Sequence, residues 1–215
     1  MRHFGRTETQ NHQMKKILIL LFLTSMLGFS QTNELCDLVF SKRENFDIIE
    51  IFKGKIPHKF NIIDTTQTWN PEVFYLENLN LNDKNVLAEI EKEEHHPYHY
   101  IYLFSNKLLD VKLNETEKIN LSKKAHKSRS YNIQLKGENY ETVKRFKQKK
   151  GFYFLITEPM YSENEKFAFL SIIIKDKGLF LGDDWDEYFG VLTIMFEKNT
   201  DRKWNQIGIK KYLIL

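Results

Sequence analysis

Cysteine is nearly absent. Cys36 is the only one in 215 residues, so no internal disulfide can form and stability must come from the core. The four prolines and nine glycines are spread thinly. They mark no linker that would divide the chain, no glycine-rich phosphate loop and no dinucleotide fingerprint. No serine stands in a Gly-x-Ser-x-Gly elbow. No internal repeat or low-complexity block is visible, and no apolar run reaches the roughly 20 residues that a membrane-spanning helix needs.

An excess of one charge is also missing once the N-terminus is set aside. From Met14 the chain reads MKKILILLFLTSMLGFSQ. Lys15 and Lys16 form a basic start, Ile17–Leu23 an apolar run extended by Met26 and Leu27, and Gly28 and Ser30 occupy the −3 and −1 positions before Gln31. This three-part pattern predicts a secretory signal peptide over residues 1–30, with residues 1–13 upstream of the true start at Met14. The whole chain has a net charge of +3, from 32 basic and 29 acidic residues. Residues 1–30 hold four of the basic and one of the acidic ones, which leaves 28 of each sign in the mature chain. The basic pI therefore makes no case for nucleic acid as a partner. The expected location is periplasmic or secreted, with no stable transmembrane span after cleavage. Asn33-Glu34-Leu35 before Cys36 does not fit a lipoprotein acceptor, and the neighbours Leu35, Leu38 and Val39 predict a half-buried free thiol.

Residues 31–215 read as a single α+β domain. A short helix is expected over 33–42, capped by Thr32 or Asn33. The runs IIEIF (48–52) and FNII (60–63) are too short to declare helix or strand. Val86, Leu87 and Ile90 recur at helical spacing in a segment that Pro97 stops, and YHYIYLF (98–104) follows as a strand. Residues 115–127 read as a short helix or loop, and YNIQLKG (131–137) alternates like a strand. Five strand candidates end the chain: 152–157, 166–175, 191–198, 203–208 and 210–215. Short polar connections between them predict an antiparallel meander. Phe167 and Phe169 point opposite to Ala168, Leu170 and Ile172, so both faces of the sheet are apolar and both need a cover. The N-terminal helices are expected on one face, with the sheet curling to protect the other.

The run EPMYSENEKFAFLSI, with Pro159, Tyr161, Ser162, Lys166, Phe167 and Ala168, resembles a pattern in uncharacterised exported proteins of Bacteroidota. The later FGVLTIMFEK and KWNQIG are similar to strands of the same proteins, as is a leader ending in Gly-Phe-Ser-Gln. The resemblance covers about the last 65 residues and the leader, and it implies a structural signature without a catalytic role. Many of those proteins carry a paired-cysteine loop where this chain has GLFLGDDWDEYFG, so no role of that loop carries over.

Candidate chemistry is sparse. EEHHPYHY (93–100) places His95, His96 and His99 beside Glu93 and Glu94. His95 and His99 have the i,i+4 spacing of a helical metal pair, but Pro97 breaks the helix that would align them. The segment reads as a helix end running into a strand. Asp183, Asp184, Asp186 and Glu187 offer oxygens for calcium, yet EF-hand spacing fails, and a hairpin loop with Trp185 and Tyr188 folded onto the sheet fits better. Lys123–Lys150 holds ten Lys and Arg residues against Glu138 and Glu141, which reads first as a solvated helix and loop face and second as a surface able to meet an anionic envelope or an acidic partner. Asp64-Thr65-Thr66 reads as a strand-end turn, and the sequon at Asn114 is set aside for a bacterial chain. The expectation is an exported non-enzymatic domain that binds or supports an envelope or extracellular protein or ligand, without a cofactor. The alternative is a secreted hydrolase, with or without a metal, whose site lies near His95, His96 and His99 with Glu93 or Glu94.

Overall fold

The computed structural model describes residues 31–74, 109, 111–148, 150–177 and 187–213, together with Met14. The leader, the 82–104 elements with EEHHPYHY, and residues 183–186 of the acidic loop lie outside the described residues.

Residues 31–40 are helical (α1). Thr32 and Asn33, expected as caps, lie inside this helix. Leu35, Cys36, Val39 and Phe40 are buried, a stripe at helical period. A 3₁₀ turn over Arg43–Phe46 leads into α2, Asp47–Lys53. The ambiguous IIEIF run therefore folds as helix. Gly54 closes α2 at φ 73°, with its N–H donating to the Glu50 carbonyl at 2.8 Å. That left-handed cap suits a residue without Cβ.

Among the described residues seven strands form one mixed sheet: β1 Phe60–Ile63, β2 Tyr140–Val143, β3 Gly151–Ile156, β4 Met160–Tyr161, β5 Phe167–Lys177, β6 Glu187–Lys198 and β7 Trp204–Leu213. Their order is β2-β1-β3-β5-β6-β7, with β4 on β5. The C-terminal strands pair antiparallel as the meander predicts. β1 departs from it, pairing parallel with both β2 and β3. Residues 203–208 and 210–215, expected as two strands, are one continuous β7 over the described residues. Gly208 does not end it. Met195 pairs with Gly208 and Phe196 with Gln206, so Ile207 is an extra residue accommodated by a bulge.

YNIQLKG alternates inward at Ile133 and Leu135, both buried, but pairs only through single bridges, Asn132 with Thr65 and Lys136 with Glu141. The backbone N–H groups explain this. Ile133 donates to the Asp64 carbonyl, whereas Leu135 donates to the Thr142 hydroxyl, so the segment hands its bonds from one neighbour to another.

The alternation along β5 divides the core in two. Ala168, Leu170, Ile172 and Ile174 face a cluster with Leu35, Cys36, Phe40, Phe46 and Ile49 of the N-terminal helical region. Phe167 and Phe169 face a second cluster with Trp69, Phe74, Leu113, Leu121 and Ala125. The second face is thus covered by residues 69–74 and a third helix, α3 (Glu115–His126), where a curled sheet was expected. The reason is the helical spacing of Lys118, Leu121, Ser122 and Ala125, which gives α3 one buried stripe.

Asn114 caps α3. Its backbone is extended and its Oδ1 accepts the Glu117 N–H at 2.8 Å, satisfying one orphan donor of the first turn. Asn114→Ala is expected to cost about 1 kcal/mol, read as a lower denaturation midpoint at unchanged slope. An unchanged midpoint would show that the cap contributes nothing.

Candidate functional site

α3 is seated by a row of polar contacts at helical spacing. The Glu117 carboxylate accepts the Glu163 N–H at 2.8 Å, Asn120 donates to the Glu163 carboxylate at 2.8 Å, and Lys124 Nζ donates to the Tyr161 carbonyl at 3.0 Å. These fix the helix along β4 and the turn after it. The turn is held in its own right. Ser162 Oγ accepts the Phe167 N–H at 2.9 Å, Asn164 Oδ1 accepts the Lys166 N–H at 2.9 Å, and Glu165 adopts φ 53°. The Pro-x-Tyr-Ser…Lys-Phe-Ala residues thus build a hairpin.

Between the end of α3 and β4 lies a cleft of about 480 Å³, lined by Trp69, Lys127, Arg129, Tyr131, Glu158 and Tyr161 among others. The Trp69 indole donates to the Glu158 carbonyl at 2.6 Å, and Ser128 Oγ accepts the Trp69 backbone N–H at 2.9 Å, joining the walls. Glu158 is solvent-accessible, yet surrounding protein atoms thin its hydration and push its carboxyl above the ordinary range, against the lowering effect of the Tyr131 hydroxyl. Tyr131 is pushed up to about 12 by partial burial first and by Glu158 second.

A second cleft, about 500 Å³, is lined by Asn61, Val143, Lys144, Arg145, Phe146 and Lys147, with Gln148. Phe146 stacks on Tyr153 with ring centroids 5.2 Å apart, so its backbone is anchored while the flanking cations stay exposed. Both clefts draw on the basic stretch Lys123–Lys150. Glu141, one of the stretch's two acids, is taken by Lys59 at 2.7 Å. Lys123, Lys127, Arg129, Lys144, Arg145 and Lys147 make no ion pair among the described residues.

The other sequence candidates fall differently. His95, His96 and His99, with Glu93 and Glu94, lie outside the described residues. Among the described residues no three His, Cys, Asp or Glu side chains gather as metal ligands. Glu187 opens β6 opposite Asp176. Tyr188, expected to fold onto the sheet, is half exposed, with Lys175 Nζ 3.3 Å from its ring centroid in a cation–π contact. Asp64 accepts from the Thr65 hydroxyl at 3.4 Å in the strand-end turn. Cys36, expected half-buried, is fully buried. The α1 stripe turns it inward, and that burial, helped by Asp37, pushes its thiol far up. Sequence reading did not single out Trp69 or Glu158, whose only signal was a place beside Asn-Pro and Pro-Met turns.

A carboxyl beside a tyrosine can accept and donate hydrogen bonds.

The fold defines an α+β protein on a mixed seven-stranded sheet. No described helix is long and apolar enough to cross a membrane. Comparison with protein-family models, curated proteins and solved structures finds no match to this chain.

Proposed function

We propose that this protein is an exported, non-enzymatic binding domain of the bacterial envelope that holds an acidic partner through its basic surface. The supporting observation is the set of six cations, Lys123, Lys127, Arg129, Lys144, Arg145 and Lys147, without ion pairs among the described residues. Exposed cations kept clear of internal carboxylates hold a local positive potential on a chain whose mature charge balances. Aromatic anchors such as Phe146 fix the backbone that carries them.

The test joins location to charge. Mass spectrometry of the protein from fractionated cells should find an N-terminus at Gln31 outside the cytoplasm. The purified protein should bind polyglutamate or polygalacturonate more weakly as salt rises. A Lys127→Glu/Arg129→Glu/Lys144→Glu/Arg145→Glu variant should lose at least about tenfold in affinity. A cytoplasmic, uncut chain, or a variant that binds undiminished, defeats the reading. Stoichiometric zinc in the purified protein would favour the hydrolase at His95, His96 and His99.

A further inference from the structure

The cleft between α3 and β4 is lined by two chemically different sets of groups. One is cationic: Lys127 and Arg129 are exposed and make no ion pair among the described residues. Lys124, though it lines the cleft, is already spent on the Tyr161 carbonyl and acts as a strut. The other is the Glu158 carboxyl, which accepts from the Tyr131 hydroxyl and keeps further acceptor capacity. Glu158 forms no salt bridge with the cations of its own cleft among the described residues, so the two sets do not cancel. The lining also includes the apolar Pro159 and Met160, both largely buried, and the half-buried Tyr161.

A ligand that is only anionic fits half of this surface. Its negative groups would meet Lys127 and Arg129, but any reaching the other set would face Glu158 and be repelled. A neutral polyol fits only the other half. Both sets of groups are satisfied by a molecule that carries an anion and hydroxyl donors, with a nonpolar flank to lie against Tyr161. Sugar rings bearing an acidic substituent combine these three features.

We propose that this cleft is a binding site for an acidic saccharide unit, whose carboxylate or sulfate is held by Lys127 and Arg129 and whose hydroxyls donate to Glu158. The inference rests on the basic-surface reading and narrows it to one cleft and one ligand class. Lys144 and Lys147, in the second cleft, stay outside the site.

Calorimetric titration of the purified protein tests this with four probes at one ionic strength: oligogalacturonate, a sulfated heparin oligosaccharide, a neutral maltooligosaccharide and polyglutamate. At least one of the two acidic saccharides should bind, and more tightly than polyglutamate or the neutral sugar. Lys127→Ala/Arg129→Ala should weaken that binding at least about tenfold. Lys144→Ala/Lys147→Ala should leave it within about twofold, since rim charges outside a site act weakly. Glu158→Ala separates the ligand classes by sign. It should weaken the acidic saccharide about fivefold through a lost hydrogen bond, while polyglutamate binds equally well or better as repulsion is relieved. Each of these variants changes exposed side chains, and an unchanged melting midpoint checks that the fold is intact.

Three results would overturn the inference. Polyglutamate could bind as tightly as either saccharide, Glu158→Ala could strengthen both classes, or the neutral sugar could match the acidic one. The first two leave the basic-surface reading standing. Failure of every polyanion to bind removes both.

Discussion

Phe154→Ala is expected to destabilise the protein by about 3–5 kcal/mol, the range for a fully buried phenylalanine truncated in a core. Phe154 has no exposed surface and sits mid-strand on β3, facing Ile174 on β5 in register. Its ring lies 5.1 Å from Phe60, 5.7 Å from Phe46 and 6.3 Å from Phe40, all edge-on. Those three rings also pack on one another, with Phe46 and Phe60 at 4.5 Å. Each such pair adds about 0.5–1.5 kcal/mol beyond area burial. The hole cannot collapse readily, because the surrounding rings come from α1, the turn before α2 and β1, which are already in contact. In a protein of this length the melting temperature should fall by roughly 6–20 °C. Urea denaturation at unchanged slope is the cleaner measurement. A loss under about 1 kcal/mol would mean that the four rings do not pack as a unit.

Gly190→Ala should be strongly damaging for a single added methyl group. Gly190 stands in β6 between Ile174 on β5 and Leu213 on β7. A Cβ there would press into the Tyr212 carbonyl oxygen and lie 3.1 Å from Ile48 Cδ1. The first obstacle is backbone of the adjoining strand, which cannot rotate away as a side chain can. Overpacking of this kind costs about 1–3 kcal/mol, and the upper end is expected because strands flank β6 on both sides. The damage should also be local. Amide hydrogen exchange should accelerate along β7, around Tyr212, while β3 amides keep their protection relative to the global opening. Wild-type exchange throughout β7 would contradict the close approach.

The antiparallel half of the fold was readable because its strands are long and apolar on both faces. Phe167 and Phe169 against Ala168, Leu170 and Ile172 already implied two cores, and two cores are present. The α+β class followed from the same pattern. The parallel half was not readable. FNII and YETV are four residues each, and nothing within them indicates that Phe60 pairs with Tyr140 and Ile63 with Val143. β2 is further hidden by its place in a basic stretch, and Tyr140 is the one residue of the strand turned fully inward. Gly208 looked like punctuation because a bulge and a strand end make the same local demand on a glycine. The candidate site was half legible. Its cations stood out as a run, but Trp69, Tyr131 and Glu158 come from separate segments that meet only when α3 is seated on β4. EEHHPYHY offered the opposite case: a conspicuous word with Pro97 set against its helical reading.

The enclosed thiol of Cys36 has a practical meaning of its own. It is the chain's single sulfhydryl, with no exposed surface, wedged beneath α1 in the cluster that Phe154 anchors. A thiol reagent can therefore label the native protein only during moments when α1 lifts away. The labelling rate is a clock for that opening, readable on unmodified protein and sensitive to the Phe154 substitution. In an oxidising compartment the same enclosure keeps copies of the chain from becoming cross-linked to one another.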